Sequence, residues 1–567
     1  MRKFLSLFLV FTILPLALFA DDVSSVNADK FGILTLIPPL VAISLAFITK
    51  DVVLSLFLGV FSGTFMISVI ENNIFIAIIK GFVDVSNKAI NSMADSWNAG
   101  IMLQVLAIGG VVALISKMGG TKAVAEWLAK KSKSGVSAQI YTWVMGLFVF
   151  FDDYANALIV GPVMRPVTDK FKISREKLAF IIDATAAPIA GIAIISTWIG
   201  YELSIIKSSY ELIGVTDINA FAIFLETIPY RFYNIFMLVF VVATAVMNRE
   251  FGPMYKAQMR ALKTGVVEST NQQSINNVED KALLPKEGIK LQTSNAIIPI
   301  LVLMIAAFTG FYLNGMSTLE GEALAQVKAS PLSFFALRET FGNADASVVL
   351  FQAALFATVV AIFLGMYRKI FTASEAIEVW IKGWKTMIIT IVILLLAWSL
   401  SSVIKDVGTS VYLVNVLSDA IPSWALPAII FVLGSFISFA AGTSYGTMGI
   451  LMPLVVPLAF AIGGFNGFEG EAMHNYMIMN VGAVLTGAIF GDHCSPISDT
   501  TILSSMGAGC NHIDHVATQV TYALSVAVIT VVAGYIPVAM GYSVFIALPL
   551  GFIAVFLMLR VFGKKII

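Results

Sequence analysis

The stretch DDYANALIVGPVMRPV (Asp152–Val167) has an echo in TSYGTMGILMPLVVPL (Thr443–Leu458), which shares its tyrosine and both prolines. Three further pairs keep the same order along the chain. They are IPPLVAISLAF (37–47) with IPILVLMIAAF (298–308), KMGGT (117–121) with KDVGT (405–409), and PIAGIAIIST (188–197) with PISDTTILSS (496–505). Four ordered matches of this kind mark an internal duplication, and a duplicated chain is read as two structural repeats.

The 567 residues are 58% hydrophobic and 12% charged, with a mean hydropathy of +0.90. Those values lie outside the range of water-soluble domains and inside that of multi-pass membrane proteins. A bilayer core about 30 Å thick takes about 20 apolar residues per helical crossing, and more than ten such runs are present. The net charge of zero gives no sign of a nucleic-acid partner, and Cys494 and Cys510 form no disulfide framework. Arg2 and Lys3 precede an apolar run ending at Ala20, the pattern of a signal peptide over residues 1–20. The expected organisation is then a first transmembrane repeat at 31–247, a cytoplasmic linker at 248–294, a second repeat at 295–540, and a final helix with a cytoplasmic tail at 541–567. The linker reads as cytoplasmic because it carries Arg249, Lys256, Arg260, Lys263, Lys281, Lys286 and Lys290.

Charge also orients the central motifs. Lys117, Lys122, Lys130, Lys131 and Lys133 precede the run 137–168, and Arg165, Lys170, Lys172, Arg175 and Lys177 close it. Both flanks belong on the cytoplasmic side, so the run should enter and leave by one face, as a re-entrant hairpin with DDYAN at its tip. About fourteen residues per arm at 1.5 Å each reach roughly 20 Å, past mid-bilayer. The repeated run 422–461 has no basic flank and is followed by Glu469 and Glu471, so it should dip in from outside. The expected fold is all-α: two inverted repeats, each of three crossings, a hairpin and two crossings, the first of those two broken.

Irregular backbone at membrane depth is tolerated only where protein or water satisfies it. Four segments qualify: the tips DDYAN and TSYGT, and the breaks DATAAP (183–188) and DHCSPISDTT (492–501). In inverted repeats these converge near mid-membrane, where half-helix N-termini and freed carbonyls build ion sites. An intramembrane carboxylate costs at least about 2.5–3.5 kcal/mol and reads as functional. Asp152, Asp153, Asp183, Asp492 and Asp499 are therefore candidates for ion or proton binding, with helix capping or structural pairing as the plain alternative. Asn156, Thr185, Thr443, Ser444, Thr447, Ser495, Ser498, Thr500 and Thr501 can offer neutral oxygens to a hard cation such as sodium, or simply bond back to their helices. Pro188, Gly442, Gly446 and Pro496 are expected to permit the breaks. His493 adjoins Asp492 and is a candidate proton carrier. Cys494 reads as a packing residue. HIDH (512–515) has metal-like spacing but should lie on a solvated helix end.

The stretches FFDDYANALIVGPVMRPVTDKFKISREKLAFIIDATAAPIAGIAIISTWIGYE and GDHCSPISDTTILSS resemble the signature regions of the NhaC-type sodium/proton antiporter family, in the wider ion-transporter superfamily. The resemblance covers most of the chain after residue 31. It implies sodium/proton exchange across a bacterial plasma membrane, sodium as the bound metal, no cofactor, lipid as the surrounding partner and a dimer-forming superfamily. The signal-like leader departs from the typical pattern. Some relatives exchange organic acids or amino acids. The breaks hold acids and no Lys or Arg, which favours cations over such anions. A hydrolase using His493, Cys494 and Asp499 would leave the duplication without purpose. A passive channel would not need broken inverted repeats, and no P-loop is present to drive transport with a nucleotide.

Overall fold

The computed structural model describes residues 24–49, 51–216, 218–269, 285, 288–417 and 421–566. The expected leader at 1–20 lies outside them, as does much of the linker. Ten described helices are long and apolar enough to cross a membrane, or eleven if the bent pair Ala220–Tyr230 and Phe232–Met247 is one span.

The principal helices of the first half are α1 (Ile37–Thr49), α2 (Val52–Val69), α3 (Ile74–Ala94), α4 (Ser96–Lys117), α5 (Gly120–Ala129), α6 (Gly135–Phe148), α7 (Asp153–Lys170), α8 (Arg175–Asp183), α9 (Ile199–Glu211) and α10 (Phe232–Met247). The second half supplies α11 (Ser294–Thr318), α12 (Ala346–Tyr367), α13 (Ala373–Thr386), α14 (Ile388–Val407), α15 (Thr409–Leu417), α16 (Leu426–Ala441), α17 (Ser444–Phe465), α18 (Gly470–Cys494), α19 (Asp499–Ala508) and α20 (His512–Ile529). Helix α21 (Val544–Phe562) follows, without a counterpart among the described residues. Each of α1–α10 thus matches the helix ten places later.

Local chemistry repeats with the order. The joints α4–α5 and α14–α15 are both made by a left-handed glycine, Gly119 (φ +67°) and Gly408 (φ +81°), a conformation that disfavours any side chain. Helices α7 and α17 each carry two internal prolines, Pro162 with Pro166 and Pro453 with Pro457. Packing is reciprocal as well: α4 packs on α12 and α13 as α14 packs on α2 and α3, and α7 packs on α19 as α17 packs on α9. The α7–α19 crossing is close enough that a Cβ on Gly161 would meet the Gly507 backbone at 2.4 Å. The sequence reading passed over α3 and α13. Each buries one narrow stripe, Ala77, Gly81 and Val85 or Ala376, Val379 and Gly383, so its mean hydropathy is that of an interfacial helix rather than a crossing.

The two hairpins enter from opposite ends of α10. At its C-terminal end, the helix Gly252–Thr264 docks on the open end of hairpin α6–α7: Gln258 Nε2 donates to Lys172 O (3.0 Å), and Arg260 pairs with Glu176 at 2.9 Å. At the N-terminal end, His474 at the start of α18 pairs with Glu226 (2.5 Å), and Tyr476 Oη donates to Ser423 O beside hairpin α16–α17 (3.0 Å). The halves are inverted.

Candidate functional site

Both hairpin tips are built alike. Asp152 (φ −159°, ψ 126°) and Thr443 (φ −152°, ψ 132°) are extended residues that cap α7 and α17. Asp152 Oδ1 accepts from Ala155 N at 2.7 Å, and Gly442 (φ +68°) makes the second turn. Asp152 and Asp153 are buried. Each tip meets the broken crossing of its own half. Asn156 Nδ2 donates to Thr185 O (2.6 Å) and Gly146 O (2.9 Å), and Thr197 N donates to Phe151 O (3.0 Å). In the other half Ser444 Oγ donates to Asp492 Oδ2 at 2.7 Å, Ser498 Oγ donates to Asp492 Oδ1 at 2.6 Å, and Ser495 Oγ reaches back to Phe439 O at 2.7 Å. Ser498 also pairs with Thr500 (2.9 Å), and Thr501 Oγ1 donates to Asp492 O (3.2 Å).

The tyrosine shared by the two tips reaches from each half into the other. Tyr154 Oη donates to Asp499 Oδ2 (3.3 Å) on the second broken crossing. Tyr445 packs on Trp198 and Tyr201 of the first, and its carbonyl accepts from Tyr201 Oη. Asp153 lies in the field of both Asp152 and Asp492, and Asp492 in that of Asp183 and Asp499. A cavity of about 330 Å³, lined by Asp152, Tyr154 and Asp499 among others, opens beside them.

Several expectations need correction. Asp499 is exposed at this cavity, unlike the buried Asp152, Asp153, Asp183 and Asp492. Gly446 is not at a break but in the first turn of α17, where a Cβ would meet Val52 Cγ1 at 2.2 Å. Thr185 and Thr447 follow the plainer alternative and bond back to Ile181 O and Thr443 O, which still leaves their lone pairs free for a cation. HIDH is a solvated end only in part: Ile513 is exposed and His515 is not. His515 is fully buried with its Nε2 at 3.2 Å from Asp183 Oδ2, and His512 Nε2 sits at 2.7 Å from Pro496 O in the break. The first break is also not free of basic residues. Arg231, fully buried, donates to Gly191 O while pairing with Glu202 at 2.7 Å. Among the described residues no three His, Cys, Asp or Glu side chains gather where they could hold a metal ion. A sodium ion here would draw on one or two carboxylates and on neutral oxygens.

The site also includes residues the sequence reading missed. Gln519 Nε2 donates to Asp183 Oδ2 (2.7 Å) and to His493 O, and His493 Nδ1 lies 2.8 Å from Tyr233 Oη. His515 and Gln519 stand one turn apart on α20, a spacing visible in the sequence but masked by the apolar run around it. Pro188 and Pro496 do sit at the breaks, after Asp183 and after Cys494. Cys494 is packed, its Sγ 3.1 Å from Phe490 O.

Comparison with known proteins agrees with this architecture. Residues 189–540 match the profile of the Na+/H+ antiporter family. A protein of Haemophilus influenzae, described as uncharacterized, is 34% identical over 512 residues, 90% of this chain and 91% of that one. The malate-2H(+)/Na(+)-lactate antiporter of Bacillus subtilis is 31% identical over 101 residues, 18% of this chain and 19% of that one. The crystal structure of the Alcanivorax borkumensis YdaH transporter superposes with a TM-score of 0.50 at 13% identity, covering 80% of this chain and 89% of that one; it is a likeness of fold.

Proposed function

The chain belongs to the Na+/H+ antiporter family, and from that premise we propose that it exchanges sodium for protons across a bacterial plasma membrane. One observation carries the reading. Asp492 is buried with Ser444 on one oxygen and Ser498 on the other, so a hairpin tip and a broken helix share a single carboxylate. A buried carboxylate is tolerable at this depth only while a cation or proton occupies it for much of the cycle. Sodium and protons then compete for Asp492 together with Asp152 and Asp153, with Asn156, Ser444 and Ser498 supplying neutral oxygens. Competition couples the fluxes, since the loaded carrier reorients while the empty, charged form carries a desolvation penalty.

The test is proton movement in everted membrane vesicles on addition of sodium. Sodium should release protons from acidified wild-type vesicles, and Asp492→Asn should abolish the response. A wild type that moves no protons with sodium refutes the proposal.

A further inference from the structure

Strand β1 (Arg249–Glu250) lies one residue beyond α10, and β2 (Lys564–Lys565) lies one residue beyond α21. The two pair antiparallel and clamp the helix ends together. Asn248 turns left-handed (φ +51°) to open the clamp; its Nδ2 donates to Ile566 O at 2.7 Å, and Ile566 N donates to its carbonyl at 3.0 Å. The register sets Arg249 opposite Lys565. Residues directly opposite leave an antiparallel ladder on one side, where like charges destabilise it. Lys564 stands opposite Glu250, but Glu250 is buried and committed inward, Oε1 2.8 Å from Lys177 Nζ and Oε2 accepting from Tyr522 Oη. Lys564 is exposed and lies 5.5 Å over the Tyr255 ring instead. Arg560, one turn earlier, adds a fourth cation. Among the described residues none of the four has an ion pair within 4 Å. Arg249 Nη1 donates to Gly563 O (2.5 Å) and Arg560 O (3.0 Å), while its Nε and Nη2 have no partner among those residues.

The surroundings fix the depth of this cluster. Val246 at the end of α10, and Leu557, Val561 and Phe562 at the end of α21, are exposed. The lipid-facing apolar band therefore runs up to the four cations and stops there. Cations at the edge of such a band complement a phospholipid, and basic clusters at this level attract anionic headgroups. We infer that the β1–β2 clamp is a headgroup site for an anionic phospholipid. Its phosphodiester pairs with Arg249 and Lys565, Arg560 and Lys564 flank it, and its acyl chains lie along α10 and α21. A zwitterionic headgroup brings an ammonium of its own and gains less. The clamp is one residue from the centre's supports: Glu250 holds Lys177 of α8 and Tyr522 of α20, the helices that meet where Gln519 donates to Asp183.

Native mass spectrometry of the full-length protein tests this. Delipidated protein in a neutral detergent is titrated with phosphatidylglycerol or with phosphatidylcholine of the same acyl chains. Phosphatidylglycerol should bind at least about fivefold more tightly, the scale of one basic contact. Lys564→Gln with Lys565→Gln keeps the backbone pairing and should lose roughly 25-fold, about fivefold per charge. Lys564→Arg with Lys565→Arg should bind as the wild type does. Hydrogen exchange on the wild type locates the site without any substitution: phosphatidylglycerol should slow the amides of β1 and β2, and sn-glycerol 3-phosphate, which has no acyl chains, should not. Equal binding of the two lipids, protection confined to other segments, protection by glycerol phosphate alone, or unchanged affinity in the Gln variant overturns the inference. Should the Gln variant fail to fold, the two wild-type measurements decide. Lipid binding in detergent and ion exchange in vesicles are read separately, so either proposal can fail while the other stands.

Discussion

Arg231→Met should destabilise the protein far more than the simultaneous removal of its partner. Arg231 and Glu202 are both wholly buried and joined at 2.7 Å. The guanidinium also donates to Thr227 Oγ1 at 3.1 Å and to Gly191 O, and it stacks 4.7 Å over Phe224. Met replaces the apolar stem but strands the Glu202 carboxylate in a fully buried site. Breaking one side of such a pair costs about 3–5 kcal/mol, or roughly 100- to 5,000-fold in the folding equilibrium. The double variant Arg231→Met with Glu202→Leu removes both charges and should recover most of that loss, because replacing a buried pair by apolar groups is often neutral. The assay is an unfolding titration in mixed detergent micelles followed by tryptophan fluorescence, run as a double-mutant cycle. A single variant as stable as wild type, or a double variant as unstable as the sum of the singles, refutes the reasoning. The double variant also isolates function. With the fold restored, the Gly191 carbonyl in the first break has lost its donor, and sodium-dependent proton release should fall although no candidate ligand was touched.

Asp492→Asn should abolish sodium-dependent proton release in vesicles, whereas Cys494→Ser should leave it within about twofold, since that thiol is packed in the core and hydrogen-bonds the Phe490 carbonyl of its own helix. Asp499→Asn should weaken exchange without eliminating it, because the carboxylate is exposed to the cavity and screened; a complete loss would return Asp499 to the centre of the mechanism. Cysteines placed at Lys131 and Lys172 should both resist an impermeant thiol reagent applied to intact cells, and labelling of one alone from outside would exclude the hairpin orientation. Mass spectrometry of the purified protein should find an N-terminus near Asp21, whereas an intact Met1 would make the leader an anchor.

What the sequence disclosed, and what it hid, follows from the range of the physics involved. The repeat was legible because its markers are local. Pro162 and Pro453 must interrupt a ladder, and Asp152 and Thr443 must open a helix; each leaves its residue type in the chain. Apolar run length gave the crossings for the same reason. The amphipathic α3 and α13 escaped because averaging over a window erases a stripe three residues wide. Contacts between distant elements escaped for a different reason. Arg231 stands at the polar-looking start of α10, and nothing nearby says that its partner is Glu202 on α9. HIDH was placed in solvent by its position at the end of an apolar run, yet His515 finds Asp183 at a separation of 332 residues.

The same distinction explains why the tyrosines matter more than their conservative appearance suggests. A tip that met only the broken helix of its own half would leave the joining of the repeats to contacts away from the tips, such as His515 and Gln519 on Asp183. Tyr154 instead reaches Asp499 in the second half, and Tyr445 packs on Trp198 and Tyr201 in the first. Each repeat therefore places one tip side chain against the broken helix of the other. Coupling between sites requires an element that both of them bias, and the two tips are placed to be that element. Tyr445→Ala tests the point. It removes the aromatic contacts at 5.0 and 4.6 Å while leaving Ser444 on Asp492, so sodium binding at equilibrium should persist while the fixed ratio of protons released to sodium taken up breaks down. If binding and exchange instead fall together, Tyr445 is part of the site's scaffold and the coupling lies elsewhere.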